Sequence, residues 1–241
     1  MEQLRLLTFG GLNLLVDGQT TTGSATRRRR LALLALLAAA RDRGLSRDKV
    51  QVVLWEDSDA ERARHGLNQL LYFQRRHLGG HDLFLGRKTL RLNRTVITTD
   101  LWDFEDALET GAQETAVRLY AGPFLDGFFV RGAPGFERWV DQHRSRLAGR
   151  CAQAVGALAA AAATGGDHHR AVEWWRRAAE LNPFDTETVL RLAEAWVATG
   201  DRAAAVRCAQ HHVELLRSEL GLAPDPRVVR MIEQLSGGLN D

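Results

Sequence analysis

Between Ala60 and Leu78 the chain reads AERARHGLNQLLYFQRRHL, and most of its polar side chains are of kinds that bond to nucleic acid. His65, Asn68, Gln69 and Tyr72 carry groups able to meet base edges in a major groove, and an Asn or Gln amide can pair bidentately with adenine. Arg62, Arg64, Arg75 and Arg76 supply cations for phosphate oxygens. The apolar residues Ala63, Leu67, Leu70, Leu71 and Leu78 fall on one side of a 3.6-residue period, which turns the polar set away from a core. Glu61, the only acid, stands in the first turn, where a helix dipole favours it. The spacing predicts a helix that enters a DNA groove. An Arg-rich face taken alone is more often plain solvated surface, so the neighbouring segments decide between the two.

Other chemistries find little support. The chain has no GxSxG, GxxxxGK[ST] or HExxH, and no GxGxxG following a strand, so no enzyme is expected. His168-His169 and His211-His212 are adjacent pairs, and adjacent residues on a helix point to different sides; they read as solvent-exposed or capping histidines, with no metal and no cofactor. Cys151 and Cys208 lie in Ala-rich, helical-looking surroundings without CxxC or Cys/His ligand spacing, as small buried hydrophobes of a reduced compartment do.

A chain of 241 residues suits one large or two ordinary domains. Its net charge of +2 hides a segregation: residues 1–99 hold 17 Lys+Arg against 9 Asp+Glu, and residues 100–241 hold 15 against 21, so the halves carry +8 and −6. Only the first half has the balance of something that meets a polyanion. Arg27 to Arg30 followed by LALLALLAAA resembles a secretory signal, but ten apolar residues are too few to span a bilayer and the run continues into further helix. It reads as a core helix of a cytoplasmic protein that does not contact membrane. Four successive arginines cannot all face one way, so Arg28 and Arg30 are candidates for phosphate contact while others lie along the apolar stripe.

The surrounding elements follow in order. QLRLLTFGGLNLLV alternates loosely and breaks at Gly10-Gly11, which with Asp17-Gly18 predicts a small antiparallel sheet. After the core helix, Gly44 gives a stop, Ser46 an N-cap, and Val50, Val53, Leu54 and Trp55 the buried side of a short helix. An acidic turn, Glu56 to Asp59, leads into the Ala60 helix, and short helix, turn and longer polar-faced helix is the pattern of a helix-turn-helix. Leu83 to Leu85 and Leu90 to Leu92 predict a hairpin with Arg87 and Lys88 at its tip, placed to reach DNA backbone. Tyr72 has a second option, its ring packed beneath that hairpin. VITTDLWD then leads into an almost wholly helical half, with helices expected over 102–110, 113–120 and about 135–163. Gly166-Asp167 recurs as Gly200-Asp201, and Ala171-Val172 as Ala205-Val206, both shifted by 34 residues, the period of a tetratricopeptide unit.

Strand pair, three helices and hairpin resemble the winged helix-turn-helix domain of the OmpR type over residues 1–95. The family pattern at the end of the reading helix keeps Arg75, Arg76 and Leu78 here but departs at Phe73 and Gln74, where it has Arg and Leu. Residues 96–241 resemble the bacterial transcriptional activator domain, on Tyr120-x-Gly122-Pro123-Phe124-Leu125-x-Gly127-Phe128 and Ala133-Pro134-x-Phe136-Glu137-x-Trp139. Together the two resemble the Streptomyces antibiotic regulatory protein family in a minimal form, without the ATPase segment of larger relatives. The resemblance implies a mainly α protein, an N-terminal winged helix-turn-helix (α+β) followed by an all-α tetratricopeptide-like domain. It also implies an activator that binds double-stranded DNA at direct repeats near a promoter, self-associates on that DNA and contacts RNA polymerase. The rival reading is an interaction adaptor that keeps the tetratricopeptide surface and has lost DNA binding, with Phe73 and Gln74 as its sign.

Overall fold

Leu4 and Leu6 alternate with half-buried neighbours in LRLL, and this period of two makes the first strand, β1 (Leu4–Leu7), of an inner sheet. The computed structural model describes residues 4–20, 25–77 and 82–237. Turns at Gly10-Gly11 and Asp17-Gly18 fold β2 (Asn13–Val16) and β3 (Gln19–Thr20) back antiparallel, with Leu4 opposite Val16 and Leu15 opposite Thr20. These three strands form the antiparallel sheet expected of the segment, and one further strand joins it. The β-branched run Ile97–Thr99 is a strand, β7, that pairs parallel with the other edge of β1, so the order is β3-β2-β1-β7. A parallel return needs a long crossover, and the whole helix-turn-helix supplies it.

Inside that crossover, α1 (Ala25–Ala40) is buried on all sides from Ala32 to Ala38, as its unbroken apolar run requires. A single 3-10 turn, Arg41–Arg43, leads to β4 (Leu45–Ser46) and α2 (Arg47–Leu54), whose N-cap Ser46 accepts from Lys49 N at 3.2 Å. The reading-helix candidate is α3 (Ala60–His77), opened by Asp59, whose carboxylate accepts from Arg62 N at 2.7 Å. The hairpin follows as β5 (Phe84–Leu85) and β6 (Thr89–Leu92), with sheet order β4-β6-β5. Gly86 has φ +87°, and a Cβ there would lie 2.0 Å from the Thr89 carbonyl oxygen, so this tight turn accepts glycine alone.

Residues 1–148 form one compact unit, which therefore includes α4 (Asp100–Glu109), α5 (Gln113–Leu119) and the first part of α6 (Pro134–Thr164). Its centre is aromatic: Phe9 meets Phe104, Tyr120 and Phe124 at centroid distances of 5.1, 4.9 and 6.5 Å. Asp100, buried at the start of α4, accepts from Thr8 N, Thr8 Oγ1 and Phe9 N at 2.7–3.0 Å, tying the sheet to the helix. Arg41 meets Glu105, Asp106 and Glu109, and Arg5 meets Asp103 at 2.7 Å, so much of the acid following residue 99 is matched within the same unit by base preceding it.

Residues 149–241 form the second unit. Its helices α7 (His168–Leu181), α8 (Thr186–Ala198), α9 (Arg202–Leu220) and α10 (Pro226–Gly237) pack each against the next. The 34-residue echo has a physical cause. Gly166 and Gly200, at φ +80° and +89°, end one helix in a conformation L side chains resist, and Asp167 and Asp201 cap the next by accepting from Arg170 N at 3.1 Å and Ala204 N at 2.8 Å. Trp175 and Trp196 pack on a core of Ala171, Val172, Leu192 and Ala195. His212 corrects an expectation. It is buried rather than exposed, with Nδ1 3.1 Å from the Pro183 carbonyl and Nε2 3.1 Å from the Thr186 hydroxyl, so it fastens α9 to the α7–α8 connection. Cys151 is buried and Cys208 half-buried, and desolvation pushes both thiols up to about 11.

Candidate nucleic-acid interface

The inner side of α3 is set by Ala63, Leu67, Leu70 and Leu71, all buried; Leu78 lies outside the described residues. Gly66 lets the helix approach the short one before it: a Cβ there would sit 2.8 Å from the Trp55 ring, closer than carbon atoms pack. With that side fixed, His65, Asn68, Gln69 and Tyr72 emerge together on the outer side, and Arg62, Arg64 and Arg76 are exposed with them. Tyr72 is 59% exposed, which removes the option of a ring packed beneath the hairpin. Arg75 lies on the same helix, its side chain outside the description.

These side chains are partly organised among themselves. Arg62 pairs with Asp59 at 3.2 Å, Gln69 Nε2 lies 2.9 Å from His65 Nε2, and Arg76 donates to the Tyr72 hydroxyl at 3.3 Å. An open cleft beside the first turns of α3 is lined by Asp59, Glu61, Arg62, His65, Gly66 and Gln69. Arg87 and Lys88 are exposed at the hairpin tip, and the Lys88 carbonyl accepts from Arg47 N at 3.1 Å, which holds the tip to the start of α2.

Arg28 and Arg30 stand apart from this group. Arg28 donates to the Phe129 carbonyl at 3.1 Å and lies 4.7 Å from that ring, while Arg30 lies over the Phe73 ring at 5.3 Å. Phe73 is half-buried and Gln74 buried, its amide donating to the Arg30 carbonyl at 3.1 Å and its Oε1 left without a partner. Gln74 thus occupies the inner position that the 3.6-residue period gives to Leu, so the departure from the family pattern falls mainly on the packed side of the helix.

Arg47, which the sequence pattern does not single out, helps to build this site, as do Trp55 and Glu56, which the pattern marks only as a buried position and an acid of the turn. Arg47 is the first residue of α2, and its guanidinium donates to Asn68 Oδ1; the Ser46 cap already located it. Trp55 is the surface α3 leans on, and Glu56 pairs with Arg138 at 2.6 Å at the corner between α2 and α3. Both contacts join residues in a way no local pattern announces. Among the described residues no three His, Cys, Asp or Glu side chains gather as a metal site would need. No helix among them is long and apolar enough to cross a membrane.

A helix-turn-helix closed by a hairpin, with paired helices following, defines the class of winged helix proteins joined to a tetratricopeptide-like array. The chain belongs to the bacterial transcriptional activator domain family, whose model matches residues 98–236, and the winged helix ahead of that domain gives it the layout of the Streptomyces antibiotic regulatory protein family. It is 34% identical over 145 residues, 59% of its length, to an uncharacterized 47.3 kDa protein in the thcA 5' region of Rhodococcus erythropolis. Its fold is that of Mycobacterium tuberculosis EmbR, solved in complex with a low affinity phosphopeptide, at a TM-score of 0.68 and 21% identity over 99% of this chain. The chain spans 30% of the Rhodococcus protein and 66% of the EmbR chain.

Proposed function

We propose that this protein is a transcription regulator in which residues 1–95 bind double-stranded DNA, with α3 in the major groove, and residues 96–241 serve the activator function. The observation that carries the reading is the outer side of α3: His65, Asn68, Gln69 and Tyr72 between Arg62, Arg64 and Arg76, all exposed on a helix whose other side is packed. The tip cations Arg87 and Lys88 extend that surface along the backbone. The adaptor reading keeps Phe73 as its sign, half-buried where the family pattern has Arg, while Gln74 is buried and bears on the packed side of the helix.

One winged helix reads a short site, and short sites recur too often in a genome to be specific. Pairs of copies on direct repeats, spaced near a whole turn of ~10–10.5 base pairs, answer that, and RNA polymerase is the partner assigned to the activator half. The test is a gel shift against the protein's own upstream region at two salt concentrations, followed by footprinting on repeats re-spaced by half a turn. Steep salt dependence and loss of paired binding at the half-turn spacing are expected. Absence of any shifted complex overturns the DNA reading, and undiminished paired binding at half a turn overturns the repeat arrangement.

A further inference from the structure

Asn68 and Gln69, neighbours on the outer side of α3, each have one end of the amide engaged within the protein, but the two contacts fix different things. Gln69 faces His65 Nε2 at 2.9 Å, and either end of an amide can satisfy an imidazole nitrogen, according to which nitrogen carries the proton. Asn68 faces Arg47, and a guanidinium has donors and no acceptor, so only Oδ1 can meet it. Arg47 is itself anchored: it is half-buried, begins α2 behind the Ser46 cap, and its backbone N–H donates to the Lys88 carbonyl at 3.1 Å. The Asn68 amide is therefore held by a residue tied to both α2 and the hairpin, with Nδ2 at its unengaged end.

We infer that Arg47 is a specificity-determining positioning residue, which fixes the Asn68 amide so that it offers a donor to DNA and excludes cytosine from the base it meets. This rests on the reading of α3 as the groove helix. Purine N7, guanine O6 and thymine O4 are acceptors in the major groove, whereas cytosine presents only its N4 donor there. Arg47 touches no base in this scheme and acts through Asn68. A free Asn amide can turn over and accept from cytosine; this one is locked.

The test is selection of bound duplexes from a random pool by the full chain and its variants. The wild type is expected to deplete cytosine about tenfold at one position, the scale of a single base contact, and Asn68→Ala identifies that position by abolishing the depletion there alone. Arg47→Met should restore cytosine at the same position with preferences elsewhere unchanged, and Arg47→Lys, which still has donors only, should keep the depletion. Asn68→Asp, an exposed change safe for folding, keeps an oxygen for Arg47, places a second where the NH₂ stood, and should invert the preference toward cytosine. Persistence of the depletion in Arg47→Met overturns the role of Arg47 while leaving the groove assignment of α3 intact, and no gain of cytosine in Asn68→Asp overturns the contact between Asn68 and that base, and the proposal with it. A wild type that selects no sequence at all overturns both.

Discussion

Arg28, Arg29 and Arg30 stand in consecutive positions at the start of α1, while Arg62, Arg64 and Arg76 are spread along α3; residue type is the same in both groups and use is not. The first group is folded back onto the protein's own surface. Arg28 and Arg29 donate to the Phe129 and Arg131 carbonyls, each at 3.1 Å, and Arg29 and Arg30 lie over the rings of Trp55 and Phe73. The second group stays at the surface, bonding only to neighbours on or beside its own helix. What separates them is the environment of the helix each belongs to. α1 is buried on all sides from Ala32 to Ala38, so the long side chains just before that stretch run out over the nearest surface, where aromatic rings and carbonyls lie. α3 has one packed side only, so its cations are left to solvent and to whatever anion arrives. Charge density in the sequence cannot tell these cases apart; the apolar pattern around it can.

The folded-back half of this comparison has an acidic counterpart in Asp100, and it gives the largest expected effect. Asp100→Ala leaves the N–H groups of Thr8 and Phe9 and the Thr8 hydroxyl buried without their acceptor. The loss should be about 3 kcal/mol or more in denaturant unfolding, since stranded buried donors cost more than a hydrogen bond contributes. A loss below about 1 kcal/mol would mean that inward polar contacts in this unit do not hold it together.

A smaller effect comes from a place where charge is excluded. His143 lies 4.3 Å from the Trp139 ring and 6.1 Å from Phe124, and its Nδ1 donates to the Trp139 carbonyl at 3.0 Å. Desolvation holds its proton affinity below the ordinary value of 6.5, despite that hydrogen bond. Below that pH the unfolded chain binds a proton that the folded chain resists, so this residue's share of the stability is present above 6.5 and fades as pH falls. His143→Phe should flatten the fall in melting temperature between pH 7 and 5, and an unchanged slope would remove His143 from the account.

Much of the frame was legible in the sequence because it follows local rules. Ser46 as a cap, the Gly-Asp pairs at 166 and 200, and the Ala63 to Leu71 stripe each depend on neighbours within one or two turns. β7 escaped notice because three residues, Ile97–Thr99, carry too short a period to separate from a loop, and because their partner β1 lies some ninety residues earlier. The outer residues of α3 were legible as a set, but the Arg47 contact with Asn68 was not, since it joins two helices across the turn. His212 shows the same limit: an adjacent histidine pair on a helix reads as exposed or capping, and a carbonyl and a hydroxyl supplied by another segment allow burial.

The smallest effects bear on the two arginine groups directly, and they require two readouts at once. Arg64→Ala or Arg76→Ala should leave the melting temperature almost unchanged, as surface substitutions do. In DNA binding each should lower the slope of log affinity against log salt by about one unit, equally on specific and random duplexes, because one released counterion is lost with one phosphate contact. Arg28→Ala should do the reverse. It removes the hydrogen bond to the Phe129 carbonyl and the stacking on its ring, so it should cost roughly 0.5–1 kcal/mol of stability and leave the salt slope where it was. If Arg28→Ala lowers the slope as Arg64→Ala does, its guanidinium leaves the Phe129 loop when DNA binds, and the two groups act as one surface in the complex. If Arg64→Ala and Arg76→Ala leave the slope untouched, the outer arginines of α3 are plain solvated surface, and the hairpin cations Arg87 and Lys88 become the next to be neutralised.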